Sequence, residues 1–167
     1  MAYWLVKSEP GVYSYRDLER DGRTEWSGVH NASALLHLRR TLPGDRLLFY
    51  HSGKERACVG VAQVSGKPHP DPGDDRGSWS VEVRPVRKLS APVTLAELRG
   101  DSTLAGFVLF RMSRLSVMPV TDAQWRRILT HELAGGRANE ATVRARRPGP
   151  ARASGSPRRG SAARRRR

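Results

Sequence analysis

The chain has 167 residues, a formal net charge of +14 and an apolar fraction of 38%. This length holds one domain of ordinary size and excludes two. The charge is unevenly spread. Eleven arginines and a single acid, Glu140, fall between Ala134 and Arg167, a balance of +10 that leaves about +4 for residues 1–133. Every tryptophan, tyrosine and phenylalanine lies in those first 133 residues, so the core must form there. The predicted organisation is therefore a folded domain over 1–133 and a disordered arginine-rich tail over 134–167, too polar to offset its ordering entropy. Such a tail either grips phosphate backbones by charge or is a compositional extension with incidental RNA affinity. A single cysteine, Cys58, excludes an intrachain disulfide. No apolar run is long enough to span a membrane and no leader pattern opens the chain, which gives a cytoplasmic expectation. Nuclear import through the terminal arginines is the alternative.

In chain order, Ala2 to Lys7 reads as a strand ended by Pro10-Gly11. Ser14 and Asp17 form a capping box for a short helix through Arg20, closed by Asp21-Gly22. Residues 23–30 read as an irregular segment holding Trp26 and Gly28, and Asn31 caps a helix over about 32–40 whose apolar surface is Leu35, Leu36 and Leu38. Strands are predicted at 46–51 and 57–64, joined by a short hairpin, with Gly60 marking a bulge or close backbone approach. Residues 65–77 form a polar loop. From 78 to 84 strict alternation predicts a strand with Trp79, Val81 and Val83 inward, and Pro85 places it at an edge or bulge. Capping boxes at Thr94/Glu97 and Thr121/Gln124 open two further helices, the second running through Trp125 to Leu133 and stopped by Gly135-Gly136, with a last strand at 116–120 between them. Residues 104–110 fit either a helix or a buried turn. The strand spacing excludes a doubly wound sheet and predicts a small mixed α/β fold with a curved, barrel-like antiparallel sheet and short flanking helices.

The chain carries no phosphate-binding glycine loop, no metalloprotease helix motif and no nucleophile elbow. Its five histidines do not fall at ligand spacing with one another or with Cys58, so neither a metal nor a cofactor is expected. Glu9, Asp45 and Glu55 lie near strand ends, but isolated carboxylates there do not make an enzyme, and a non-catalytic binding function is expected. The candidate binding residues are aromatic and polar groups at strand ends and loops: Trp26 and Tyr50, bracketed by Lys7, Ser8, Asn31, His51 and Ser52. An aromatic face stacks a base while amide and hydroxyl groups read its edge. Trp4, Trp79 and Trp125 are expected to pack in the core.

Tyr3-Trp-Leu-Val-Lys-Ser-Glu-Pro10, Trp26-Ser-Gly-Val-His-Asn31, Phe49-Tyr-His-Ser52, Val59-Gly-Val-Ala62, and Arg111 to Val120 followed by Trp125, closely resemble the EVE domain. The resemblance runs from about residue 2 to 132, with the blocks in order. It implies a PUA-like fold, related to YTH and ASCH domains, and binding of a modified base in DNA or RNA. Lys7 and Ser8 would then form one pocket wall, Trp26 a stacking surface and Asn31 an edge reader, with His30 beside them and Tyr50, His51 and Ser52 opposite. Arg111, Ser113 and Arg114 would meet phosphates at the mouth. The chain departs from the family pattern at Gly28-Val-His-Asn-Ala-Ser33, where His30 stands in place of an arginine and lacks its fixed charge. Two other readings remain open: a small-metabolite-sensing or interaction protein, and a nucleotide or RNA hydrolase using Glu9 or His51.

Overall fold

The computed structural model describes residues 1–146. Seven strands form one curled sheet: β1 (Tyr3–Ser8), β2 (Thr24–Trp26), β3 (Arg46–His51), β4 (Ala57–Val64), β5 (His69–Pro70), β6 (Trp79–Thr94) and β7 (Val117–Val120). The strand order is β2-β6-β4-β3-β1-β7, with β5 attached to β6. The helices are α1 (Tyr15–Asp21), α2 (Ala32–Leu38), α3 (Leu95–Arg99), α4 (Val108–Arg111) and α5 (Asp122–Ala145), with a 3₁₀ turn at Ser102–Leu104. The sheet is antiparallel apart from one pair. β1 and β3 run parallel, Tyr3 opposite Arg46 and Ser8 opposite His51, because α1, β2 and α2 carry the chain back to the same end of the sheet between them. That correction matters for function, since it sets the C-terminal ends of β1 and β3 side by side.

The three capping boxes form as predicted. Ser14, Thr94 and Thr121 each accept from the backbone N–H three residues on, and Asp17, Glu97 and Gln124 reach back. Gly60 is a close approach: a Cβ there would lie 2.3 Å from the ring of Tyr15, which is fully buried and donates its hydroxyl to the Val61 carbonyl at 2.7 Å. Trp4 is core, with its indole N–H bonded to Asp45, and Trp125 stacks on Tyr3 at 4.3 Å. Trp79 is half-buried under the Arg39 guanidinium, and Leu36 faces solvent rather than the core.

Several boundaries differ from the sequence expectation. Trp26 is not in a loop but ends β2, opposite Val81 of β6. β6 runs for 16 residues, Trp79 to Thr94, straight through Pro85, and a register shift between Val61 and Ala62 of the facing strand absorbs the proline. The polar loop at 65–77 contributes the short β5. Gly135-Gly136 does not stop the last helix. A Cβ at Gly135 would sit 3.1 Å from the Ala91 Cβ, and one at Gly136 2.8 Å from the Ser90 Oγ, so the pair lets α5 lie close against β6. One turn earlier, the buried Glu132 takes both Arg87 nitrogens at 2.6 and 2.8 Å and the Ser90 N–H at 2.8 Å. The predicted tail therefore begins as helix, and the rest of it, from residue 147, lies outside the described residues.

Candidate functional site

Curling brings the two sides of the sheet together at one place. A cavity of about 440 Å³ opens between the end of β1 (Lys7, Ser8), the segment after it (Glu9, Val12, Tyr13), β2 and its exit (Thr24 to Val29), and Ser116 just before β7. Its size is within the range of about 300–1,000 Å³ common for small-ligand sites. Three of the candidate residues, Lys7, Ser8 and Trp26, line it together.

Lys7 leaves β1 with its ammonium half-buried. It donates one hydrogen bond to the Ser113 carbonyl at 2.9 Å, which leaves two of its three donors uncommitted among the described residues, and burial lowers its pKa. The Ser8 hydroxyl donates to the Tyr13 carbonyl at 2.6 Å and keeps lone pairs to accept with. Trp26 is only 8% exposed. Its ring meets Phe49 edge-on, centroids 5.3 Å apart and planes at 86°, so Phe49 fixes its orientation from the core side. Among the described residues its indole N–H has no protein acceptor. Gly28, with φ of +71°, turns the chain at the rim, a backbone conformation that a side chain would strain.

The remaining candidates support this site from outside the cavity. Asn31 does not line the cavity; it caps α2, its Oδ1 accepting from the Ala34 N–H at 3.0 Å. Tyr50 is buried beneath Lys7, whose Nζ lies 5.9 Å from the ring centroid, and burial pushes its hydroxyl up to about 12. His51 is a buried latch. Its Nε2 accepts from the Tyr15 N–H at 3.0 Å and its Nδ1 faces Glu55 at 2.8 Å, so both ring nitrogens are engaged within the fold. Ser52 ties the hairpin to β1 through its N–H and the Ser8 carbonyl. His30 lines an adjoining cleft with Asp71 and Asp74. Its Nδ1 lies 3.3 Å from an Asp74 oxygen that is buried and otherwise unpartnered. Arg111, Ser113 and Arg114 are exposed beside Lys7, joined to it by the Ser113 carbonyl.

Glu9, considered in the sequence only as an acid or base, lines the cavity, and Tyr13, Thr24 and Ser116 are among the lining residues that escaped the sequence. Tyr13 is the most informative, because its hydroxyl donates to Asp21 at 3.0 Å and fixes the ring on the wall facing β2. Glu25 also lines the cavity and reaches His69 at 3.2 Å and the Ser80 hydroxyl at 3.1 Å, tying β2 to β5. Among the described residues no group of three or more His, Cys, Asp or Glu could hold a metal ion, and no helix is long and apolar enough to cross a membrane.

Solved structures share this architecture. A Rhodopseudomonas palustris protein superposes with a TM-score of 0.76 at 39% identity, covering 80% of this chain and 94% of that one. Human THYN1 in complex with 5-methylcytosine-containing DNA gives 0.73 at 29% identity, covering 79% and 98%. An ASCH protein from Zymomonas mobilis, at 8% identity and a TM-score of 0.57, shares the fold. In sequence, human thymocyte nuclear protein 1 is 32% identical over 166 residues, 78% of this chain and 74% of that protein. The EVE domain model matches residues 2–131, which span β1 to the middle of α5 and include the whole cavity. The chain belongs to the EVE domain family.

Proposed function

We propose that this protein is a non-catalytic reader of a modified base in DNA or RNA, and that the base enters the cavity between β1 and β2. The observation that carries this is the convergence of Lys7, Trp26 and Tyr13 on one open cavity in an EVE domain, a family whose human member THYN1 is seen with 5-methylcytosine-containing DNA. Trp26 and Tyr13 form the aromatic walls, while Lys7 and the Trp26 indole N–H supply donors to the base edge. Arg111 and Arg114 meet flanking phosphates, and the arginines beyond Ala134 add a salt-sensitive, sequence-independent grip. Extruding a base costs a few kcal/mol, which stacking at about 1–3 kcal/mol per base together with edge hydrogen bonds must recover. Asn31, Tyr50, His51 and Ser52 hold this frame. His51 has both nitrogens occupied, which favours binding over hydrolysis. Residence in the cytoplasm belongs to the same proposal, and imaging of the tagged chain with and without its terminal arginines decides between it and the nucleus.

The test is a titration of the full chain, at two salt concentrations, against oligonucleotides that differ only in one base modification. Tighter binding of a modified strand, weakened by Lys7→Ala, is the expected result. Equal affinity for every modified and unmodified strand would sink the proposal. A free-nucleotide panel that binds as well as the oligonucleotides would favour a metabolite sensor instead.

A further inference from the structure

The parallel pairing of β1 and β3 has a second result on the cavity end of the sheet. The β3–β4 hairpin, residues 52–56, emerges next to the segment that follows β1, where a Cβ on Gly53 would lie 4.0 Å from the Glu9 side chain. On the hairpin's other side a cleft of about 340 Å³ opens against the start of α3, its charged lining Lys54, Glu55, Arg56 and Arg99. Among the described residues none of these three cations has a carboxylate partner. The nearby acids are taken: Glu55 by His51 at 2.8 Å, and Glu97 by the Thr94 N–H and hydroxyl at 2.7 and 2.8 Å.

This charge is continuous with the cavity. The Arg99 guanidinium sits 5.5 Å from the Phe110 ring centroid, Arg111 is the next residue, and the loop that follows holds Lys7 through the Ser113 carbonyl. The positive charges of Arg56 and Arg99 are both felt at the Tyr50 hydroxyl, below the ring that Lys7 overlies. Arg56 is also the one non-glycine residue with positive φ, +42°, among those described. A left-handed conformation is strained for a residue with a side chain, so the hairpin holds an arginine where glycine would be relaxed.

We propose that Lys54, Arg56 and Arg99 form a phosphodiester-binding surface that takes the nucleic-acid backbone on one flank of the base seated in the cavity. It rests on the base-reading proposal for the geometry of approach. Together with Arg111 and Arg114 it gives the strand one continuous run of positive charge beside Tyr50 and Lys7. Removing one cation that neutralises a phosphate makes the slope of log K against log salt shallower by about 0.9 on duplex DNA and about 0.7 on a single strand.

The experiment compares the full chain carrying Lys54→Gln, Arg56→Gln and Arg99→Gln with one carrying Arg40→Gln, Lys67→Gln and Lys88→Gln, an equal charge loss at exposed positions outside both cavities. Glutamine at residue 56 carries the same backbone strain as arginine, so the hairpin is not rebuilt. Duplex DNA and single-stranded RNA of equal length are titrated, each with and without 5-methylcytosine. The cleft variant is expected to lose about 2.7 units of salt slope on duplex DNA or about 2.1 on a single strand, an affinity deficit that shrinks roughly twenty- to fortyfold between 50 and 200 mM salt. Its preference between modified and unmodified strands stays that of the wild type. A slope equal to the control variant's overturns the proposal, as does a changed preference at unchanged slope. If the wild type shows no preference at all, base reading fails while the slope comparison still decides this surface.

Discussion

Gly60→Ala probes the packing behind the cavity most sharply. The new Cβ would stand 2.3 to 2.6 Å from three ring carbons of Tyr15, against ordinary carbon contacts of about 3.5–4.0 Å, so the ring must retreat by at least about 1.2 Å. It has nowhere to go. Tyr15 is 2% exposed, packs edge-on to Phe49 at 5.3 Å and donates its hydroxyl to Val61. Overpacking of this kind costs about 1–3 kcal/mol, and stranding the hydroxyl adds about 1–3 kcal/mol. Stiffening the unfolded chain returns about 0.5–1 kcal/mol. The net expectation is a loss of about 1–5 kcal/mol, read by urea unfolding as a lower midpoint at unchanged slope. Tyr15→Leu in the same chain removes the obstructing ring, so the double variant should be more stable than the sum of the single losses predicts, by at least about 1 kcal/mol. A Gly60→Ala chain within about 0.5 kcal/mol of the wild type, or strictly additive losses, would refute this packing.

Trp26→Ala should cost about 3–5 kcal/mol because the ring packs on Phe49, so binding is better tested with Trp26→Phe, which keeps an aromatic wall and removes the indole donor; a three- to tenfold weaker titration of a modified strand is expected, about 1 kcal/mol. Asn31→Ala should lower stability by about 1 kcal/mol in a thermal melt while leaving the preference for a modified strand unchanged, which separates a helix cap from an edge reader. Burial alone would raise the Glu132 carboxyl, but Arg87 and the Ser90 N–H outweigh it and hold the pKa below its ordinary value. Its contribution is therefore present above the unfolded glutamate pKa and lost as pH falls through the folded one, so the melting-temperature gap between wild type and Glu132→Gln should close in acid. His69 is raised by its hydrogen bond to the Pro70 carbonyl and then by Glu25. Its contribution is present below the ordinary histidine pKa and lost as pH rises through the raised one; an NMR titration should find that raised value, and Glu25→Gln should lower it.

What the sequence disclosed was local. The capping residues Ser14, Thr94 and Thr121 act over three positions, and β3 and β4 carry their own apolar runs, so both kinds of element were legible. The parallel β1–β3 pairing joins segments some 40 residues apart and leaves no local trace, and the prolines at 85 and 92 concealed the length of β6. Gly135-Gly136 read as a stop because glycine is a poor helix former, whereas here the missing side chains are what let α5 approach Ser90 and Ala91. In the site, Lys7, Ser8 and Trp26 were legible as polar and aromatic groups at strand ends. Asn31 and His51 looked the same in sequence, yet the backbone N–H groups of Ala34 and Tyr15 claim them. Tyr13, Thr24 and Ser116 reach the cavity only because the sheet curls, which no spacing along the chain reveals.

A structure of the full chain with an oligonucleotide carrying 5-methylcytosine tests the central claim most directly. The expected result is one base turned out of its stack into the cavity, against Trp26 and Tyr13 and within hydrogen-bond reach of Lys7. A complex in which the protein touches phosphates alone, with the base left in its stack and the cavity vacant, would contradict it.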